Sequence, residues 1–546
     1  MVVPELRPWR AARPHVARFA GAVRPRLART AAAVRPRLAR LRPSRPAGAG
    51  TAAWSRITRS VAWPGTWPGA WRFTVVAATA GTVLAAGAVT TAGPWDSTGQ
   101  RTAEQDRAVT LEATRGTDHG GRGNAGTPPR GPRTAPSAPS VLTGLGGGAT
   151  TVKSAPGGKA LTGALAPLLK SPALGGLSAS VVDVSTGRSV YGDGTGDALA
   201  PASTTKIATA VAVLTALGPD HRLTTRATFE PDTKEVILVG GGDPTLTARE
   251  KNPTGSASLR DLAGRTAAAL AERGVREVTL SYDTTLYPGG QRHPIGVNPN
   301  LAALTPLMAD EARRDNSAAG PADRVADPAA DAARKFGALL RENGIKATPP
   351  GPSKSTTRAG TLAAVSSPPL ATLVERMLTH SDNDLAEALA RQTAIATGGR
   401  ADFAGASAAV RAQLQKLGVS LKGAVFKDGS GLDRGNRLTA GLLTALLVKS
   451  GDPARPELRP VLTGLPVAGF TGTLAGRYAD GTAGAAGVVR AKTGTLTGVN
   501  ALAGTVVDRE GRLLAFAFLA TGTTDPTAAQ AALDKAATAL AACGCR

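Results

Sequence analysis

The chain has 546 residues and a formal net charge of +24, from 64 Lys and Arg against 40 Asp and Glu. Residues 1–72 hold 15 Arg, no Lys and one acidic residue, Glu5, so +14 of the excess sits there and only +10 in the remaining 474 residues. That asymmetry excludes a uniformly basic nucleic-acid-binding surface, and two cysteines, Cys543 and Cys545, exclude a disulfide framework and a structural zinc site needing four ligands.

The basic leader contains a short echo, Val23–Arg29 and Val34–Arg40. Proline recurs too often for a long helix and aliphatic residues are too sparse for a core, so residues 1–72 read as a disordered cytoplasmic tail. A tail that binds anionic lipid or nucleic acid is the competing reading. Phe73 to Trp95 carries no charge and is long enough to cross ~30 Å of hydrocarbon as a helix. Arginines before it place the tail inside and everything after it outside, so 73–93 is expected to be a single transmembrane signal-anchor. Ala86-Gly-Ala88 has the form of a cleavage site, which leaves release of the remainder open. Residues 94–158 are rich in Gly, Thr, Pro, Ser and Ala without apolar period, the composition of a flexible linker; about 60 such residues have an r.m.s. span of ~45 Å.

Folded sequence is expected from about Ala160. Leu177–Val184 and Ser189–Tyr191 alternate with period 2 around a Gly turn and predict a hairpin. Ile207–Leu217 predicts an apolar helix, Glu235–Val239 a strand, Ser258–Glu272 an amphipathic helix, Val275–Tyr282 a strand and 325–344 a further helix. Pro368–Leu378 places Leu370, Leu373, Val374, Met377 and Leu378 on one helical face, and Asp384–Arg391 continues as a helix. The end of the chain reads as strand (Ala501–Val507), turn, strand (Leu513–Ala520) and a final helix capped by Asp525 with Pro526 at its first position.

Three short motifs bear chemistry-capable side chains. In Ser203-Thr-Thr-Lys206 the serine falls where a helix N-cap belongs, and the lysine three residues on shares its face. A lysine opening an otherwise apolar helix has its charged form destabilised, as a general base requires; the competing reading is a capping serine and a solvated lysine. Ser381-Asp-Asn383 occupies the break between two helices, where polar residues either cap a helix or aim a hydroxyl and an amide into a cleft. Lys492-Thr-Gly-Thr495 lies in a predicted strand, where a lysine is ordinary edge protection and Gly494 weakens the strand unless something approaches its backbone.

Ser-x-x-Lys, Ser-x-Asn and Lys-Thr-Gly in this order form the set found in active-site-serine penicillin-recognising enzymes. The chain resembles the penicillin-binding D-alanyl-D-alanine carboxypeptidase/endopeptidase family, the low-molecular-mass class C penicillin-binding proteins, over roughly residues 160–540. The likeness includes Gly240-Gly-Gly-Asp-Pro-Thr-Leu246, Tyr282-Asp-Thr-Thr-Leu-Tyr287, Ser381-Asp-Asn-Asp-Leu-Ala-Glu387, Asp428-Gly-Ser-Gly-Leu432, Gly472-Thr-Leu474 and Val489-Arg-Ala-Lys-Thr-Gly-Thr-Leu496. It implies an α/β (α+β) architecture: a β-lactamase/transpeptidase-like catalytic domain, an antiparallel sheet flanked by helices, in two parts (159–224 and 356–546), with a smaller α/β domain inserted at 225–355.

The resemblance also implies a mechanism, acyl transfer through a serine ester. Ser203 attacks the carbonyl of the penultimate D-Ala while Lys206 takes its proton. Backbone N–H groups of Ser203 and Thr495 hold the oxyanion. Ser381 relays a proton to the leaving amine with Lys492 behind it, and Asn383 orients Lys206 and the substrate amide. Lys492, Thr493, Gly494 and Thr495 present an edge suited to the substrate's C-terminal carboxylate. Asp283, with Tyr287, is implied to contact the diamino-acid side chain of the stem peptide; an Asx turn after the preceding strand is the competing reading for Asp283. The implied partners are peptidoglycan stem peptides and covalently bound β-lactams, with no nucleic acid, cofactor or metal. A β-lactamase, or a non-catalytic cell-wall binding protein on the same scaffold, are the alternatives.

Overall fold

The computed structural model describes residues 158–252, 254–478 and 484–543. The basic leader, the Phe73–Trp95 segment, the linker up to residue 157 and Cys545 lie outside the described residues. Among the described residues no helix is long and apolar enough to cross a membrane, and Cys543 is disulfide-bonded.

The chain enters through helix α1 (Gly158–Leu169), strands β1 (Gly176–Asp183), β2 (Ser189–Asp193) and β3 (Ala198–Leu199), and helix α2 (Thr205–Leu217). A second set follows: β4 (Thr224–Glu230), β5 (Glu235–Val239), α3 (Leu259–Glu272), β6 (Glu277–Asp283), α4 (Pro328–Glu342), β7 (Lys346–Ala347), β8 (Gly351–Pro352) and β9 (Gly360–Ser366). The chain then runs through α5 (Leu370–His380), α6 (Asn383–Ala396), α7 (Phe403–Lys416), β10 (Leu438–Thr439), α8 (Ala440–Gly451) and α9 (Arg459–Thr463). It ends with β11 (Val489–Leu496), β12 (Val499–Val507), β13 (Leu513–Thr521) and α10 (Pro526–Ala542).

Five strands form an antiparallel sheet in the order β11-β12-β13-β1-β2. Alternation along its central strands divides two kinds of side chain. Ala501, Ala503, Ala515 and Ala517 face a core shared with α2, α5, α6, α7 and α8. Leu502, Val506, Leu514, Phe516 and Phe518 face a second core with α1 and α10. Small side chains on the first face let the helices lie close to the sheet. Residues 205–214 of α2 are all buried, as an apolar-all-round helix requires.

The second set makes its own sheet, order β7-β6-β5-β4-β9 with β8 beside β6, in which β5 and β6 are parallel and β4 antiparallel to both β5 and β9. Helices α3 and α4 cover it with a separate core around Leu262, Leu270, Phe336 and Leu340. The expected boundary at residue 355 falls inside this sheet: β9 pairs with β4 from Thr224↔Ser366 onward, so the unit closes only at Ser366. Strands β4 and β9 lack a strong apolar alternation, which is why they were not legible beforehand.

Candidate active site

Ser203 sits in a single 3₁₀ turn, Ala202–Thr204, that leads directly into α2. It does not cap that helix, as one reading of the sequence expected: Thr204 holds the N-cap position and neither side chain makes a capping bond. The backbone just before the serine is forced into position. Ala202 has φ +47°, and Gly431 (φ +86°) is packed so closely that a Cβ there would meet the Ala202 carbonyl oxygen at 1.9 Å. From the sheet side, a Cβ on Gly494 would meet the Pro201 carbonyl oxygen at 2.7 Å. That is the close backbone approach which excuses a glycine in strand β11.

In the first turn of the helix, Lys206 is 0% exposed. Its Nζ donates to three acceptors: Ser203 Oγ at 3.1 Å, Asn383 Oδ1 at 2.7 Å and the Ser430 carbonyl at 2.7 Å. Burial lowers the lysine pKa to about 8, against the pull of Asp428, Glu387, Asp382 and Asp384. Of the three acceptors, only the serine has a proton to give. A neutral amine that keeps its two N–H bonds on Asn383 and Ser430 therefore turns its lone pair toward Ser203 Oγ.

The Asn383 amide is oriented from its other end, because its Nδ2 donates to the Asn300 carbonyl at 2.9 Å. Asn383 is the first residue of α6, whose N-cap is Asp382, accepting from Leu385 N. Ser381 ends α5 in the left-handed region, φ +57°, a conformation a serine adopts only under constraint. Ser203, Ser381, Asn383 and Thr495 line one cavity of about 260 Å³. Arg313, Arg324 and His380 also form part of its wall.

Strand β11 closes the site at the free edge of the five-stranded sheet. Lys492 is fully buried and donates to the Thr493 carbonyl at 2.9 Å, with no carboxylate partner among the described residues. Burial, and then the charge of Lys206, holds its pKa well below the ordinary lysine value. Thr493 Oγ1 is bonded to Thr473 Oγ1 at 2.9 Å, which ties the strand to the Gly472-Thr-Leu474 turn.

Comparison with known proteins identifies the family. The D-Ala-D-Ala carboxypeptidase 3 (S13) family matches residues 161–300 and 313–542. The chain belongs to that family. It is 38% identical over 402 residues to carboxypeptidase DacB of Mycolicibacterium smegmatis, covering 71% of this chain and 85% of that protein. It is 30% identical over 437 residues to the D-alanyl-D-alanine carboxypeptidase of an Actinomadura species, covering 66% and 80%. Among solved structures, penicillin-binding protein 4 of Haemophilus influenzae has the same mixed α/β fold at TM-score 0.56 and 21% identity, over 70% of this chain and 97% of that one. The same protein has also been solved in complex with a β-lactam, at TM-score 0.52 and 22% identity. As an S13 family member the chain is a serine hydrolase of D-alanyl-D-alanine peptides.

One residue singled out in the sequence is not brought to the cavity that Ser203 lines. Asp283 ends β6 and lines a different cavity, of about 590 Å³, with Arg222, Arg226, Gly241, Ser355 and Gln392. Both its oxygens are occupied, Oδ1 by Thr285 N at 2.8 Å and Oδ2 by Ser355 N at 2.9 Å. The Asx-turn reading thus describes its contacts. Tyr287 is buried, its hydroxyl within hydrogen-bond reach of Gln392 Nε2 at 3.2 Å.

Other residues around Lys206 were not singled out for a role from sequence. Ser430 gives its carbonyl to Lys206, and Glu387 accepts from Gly429 N at 3.1 Å and Ser430 N at 2.8 Å. Asp428 accepts from Gly431 N, Asp433 N and Asn436 Nδ2, and meets His293 Nε2 at 3.0 Å. Two sequence signals pointed to them: Glu387 is four residues after Asn383, on the same face of α6, and Glu387, Asp428 and Ser430 lie in the Ser381–Glu387 and Asp428–Leu432 segments that carry the family likeness.

A second cluster braces the Ser381-Asp-Asn383 motif. Asp384 Oδ1 accepts from Ala302 N at 2.9 Å and Oδ2 from Arg324 at 2.7 Å. Asp382 meets Arg376 at 3.4 Å, and Arg376 also pairs with Glu311. Burial and the neighbouring Asp382 push the Glu311 pKa up to about 8, against its pairing with Arg376. Burial works against the Asp382 carboxylate, but Arg376 and the Glu311 hydrogen bond outweigh it and keep its pKa low. Two carboxylate groupings bring ligand atoms within 4.8 Å of one another, His293/Glu387/Asp428 and Glu311/Asp382/Asp384. The first is already bonded to backbone amides and the second to arginines.

Proposed function

We propose that Ser203 is the acylated nucleophile of this D-Ala-D-Ala peptidase and that Lys206 is its general base. The observation that carries the reading is the buried Lys206 amine, held by Asn383 and Ser430 so that its third position faces Ser203 Oγ. Proton transfer to Lys206 accompanies attack on the penultimate D-Ala carbonyl; the leaving amine takes a proton back by way of Ser381, and water hydrolyses the ester. Ser381 lines the same cavity as Ser203, which supports that route. Lys492 contributes positive potential, and Thr493 and Thr495 hydroxyls, for the substrate's terminal carboxylate, with Gly494 allowing the strand to lie against Pro201.

Labelling with a fluorescent penicillin tests the assignment: wild type forms a long-lived adduct that maps to Ser203, and Ser203→Ala forms none. Release of D-Ala from a stem pentapeptide reads carboxypeptidase action, and cleavage of cross-linked muropeptide dimers reads endopeptidase action. In the cell, we place the catalytic region on the outer side of the membrane, tethered by the uncharged Phe73–Trp95 stretch and the linker after it. Fractionation and protease accessibility of the full chain test this, and a cytosolic, protease-protected enzyme contradicts it.

A further inference from the structure

The nucleophile and the two lysines do not explain why a buried glutamate lies one helical turn beyond Asn383. Glu387 is 1% exposed and its carboxylate is spent on backbone: Oε1 accepts from Gly429 N and Ser430 N. Asp428 continues the pattern by accepting from Gly431 N at 2.7 Å. On the opposite side, Thr209 Oγ1 donates to the Gly429 carbonyl at 2.6 Å. The Gly429–Gly431 turn is therefore pinned on both sides, and the group it presents to the site is the Ser430 carbonyl, 2.7 Å from Lys206 Nζ. Within the Ser430–Gly431 peptide itself it is Asp428, on the Gly431 N–H, that polarises the Ser430 carbonyl as an acceptor, while Glu387 holds the two peptides before it in place.

We propose that Glu387 is a positioning residue for the base: through the Gly429–Ser430 amides it fixes the Ser430 carbonyl as the anchor that keeps the Lys206 lone pair on Ser203. The inference rests on the Ser203–Lys206 reading above. Its electrostatic consequence is separable from its mechanical one. Glu387 is among the charges that stabilise protonated Lys206, with Asp428, Asp382 and Asp384 doing the same and Lys492 opposing them. Facing Glu387 itself are Asp428, His293 and Arg391, beside Lys206. Burial, and then Asp428, push the Glu387 pKa up to about 7, so above that pH removing the glutamate charge lowers the lysine pKa further while loosening its geometry. A neutral change at Thr209 loosens the same turn and leaves the charge alone.

The test is the rate of acylation by a fluorescent penicillin between pH 6 and 10, on wild type, Glu387→Gln, Glu387→Ala and Thr209→Val, with thermal melting of each. Glu387→Gln keeps one acceptor oxygen and is expected to lose about tenfold in rate, with the acidic limb of its profile moved to lower pH. Glu387→Ala is expected to lose on the order of 10²-fold. Thr209→Val loses rate with its limb in place, and stands in if Glu387→Ala does not fold. Wild-type rates in Glu387→Gln and Glu387→Ala, or losses that track melting with no movement of the limb, overturn the inference alone. An unlabelled wild type overturns the Ser203 assignment with it.

Discussion

Lys206 opens a helix and Lys492 lies in a sheet edge, and both side chains are removed from water, yet their surroundings differ in kind. Lys206 has three acceptors around Nζ and four carboxylates in its field; Lys492 has one backbone carbonyl and a positive neighbour. Burial disfavours the charge on both. In the helix region the carboxylates give part of it back, which places the pKa at about 8, where a base can both accept and release a proton. In the strand region nothing among the described residues compensates, so Lys492 gains most from an anion supplied by the substrate. The same side chain is thus prepared for proton transfer in one place and for carboxylate recognition in the other.

Substitutions separate the two settings. The largest effect is expected at Lys206: Lys206→Ala should lower the acylation rate by on the order of 10³-fold or more, since general-base catalysis is worth 10²–10⁴, and stopped-flow labelling reads it. Next, Lys492→Ala should reduce turnover of peptides with a free terminal carboxylate by roughly 10²-fold, and much less for their C-terminal amides, because a charge-assisted contact is lost only where the charge exists. Equal losses on both substrates would erase the distinction between the lysines. Gly431→Ala should destabilise the fold by roughly 1–3 kcal/mol, seen in thermal melting, since its positive φ and its contact with Ala202 leave no room for a methyl group. The smallest effect is expected away from both lysines: Asp283→Asn should leave acylation unchanged and cost about 1 kcal/mol of stability from the bond to Ser355 N.

How much of this was visible in the sequence follows from the range of each interaction. Local signals were readable. The Ser203–Lys206 spacing, the Asp525-Pro526 helix start and the Leu370–Leu378 face all correspond to observed elements. Helix α8 was not anticipated although Thr439 caps it; its run of Leu and Ala is buried nearly all round and gives no amphipathic period. In the site, the three motifs were legible because each is short. Their mutual geometry was not, since Lys206 meets Asn383 and Ser430 across 177 and 224 residues of chain. The arginines in the cavity wall come from the segment after β6, remote in sequence from every motif. For Asp283, a turn-forming carboxylate and a substrate-facing one look alike in sequence; what separates them is the pair of backbone amides that occupy it.

The most direct test of the account is the pH dependence of wild-type acylation at Ser203 by a fluorescent penicillin. Because the base must be neutral to accept the serine proton, and its pKa is depressed from 10.5 to about 8, the rate should be low at pH 6, rise through a midpoint near 8, and level off before pH 10. A rate independent of pH over that range, or a midpoint near the ordinary lysine value, would contradict Lys206 as the base.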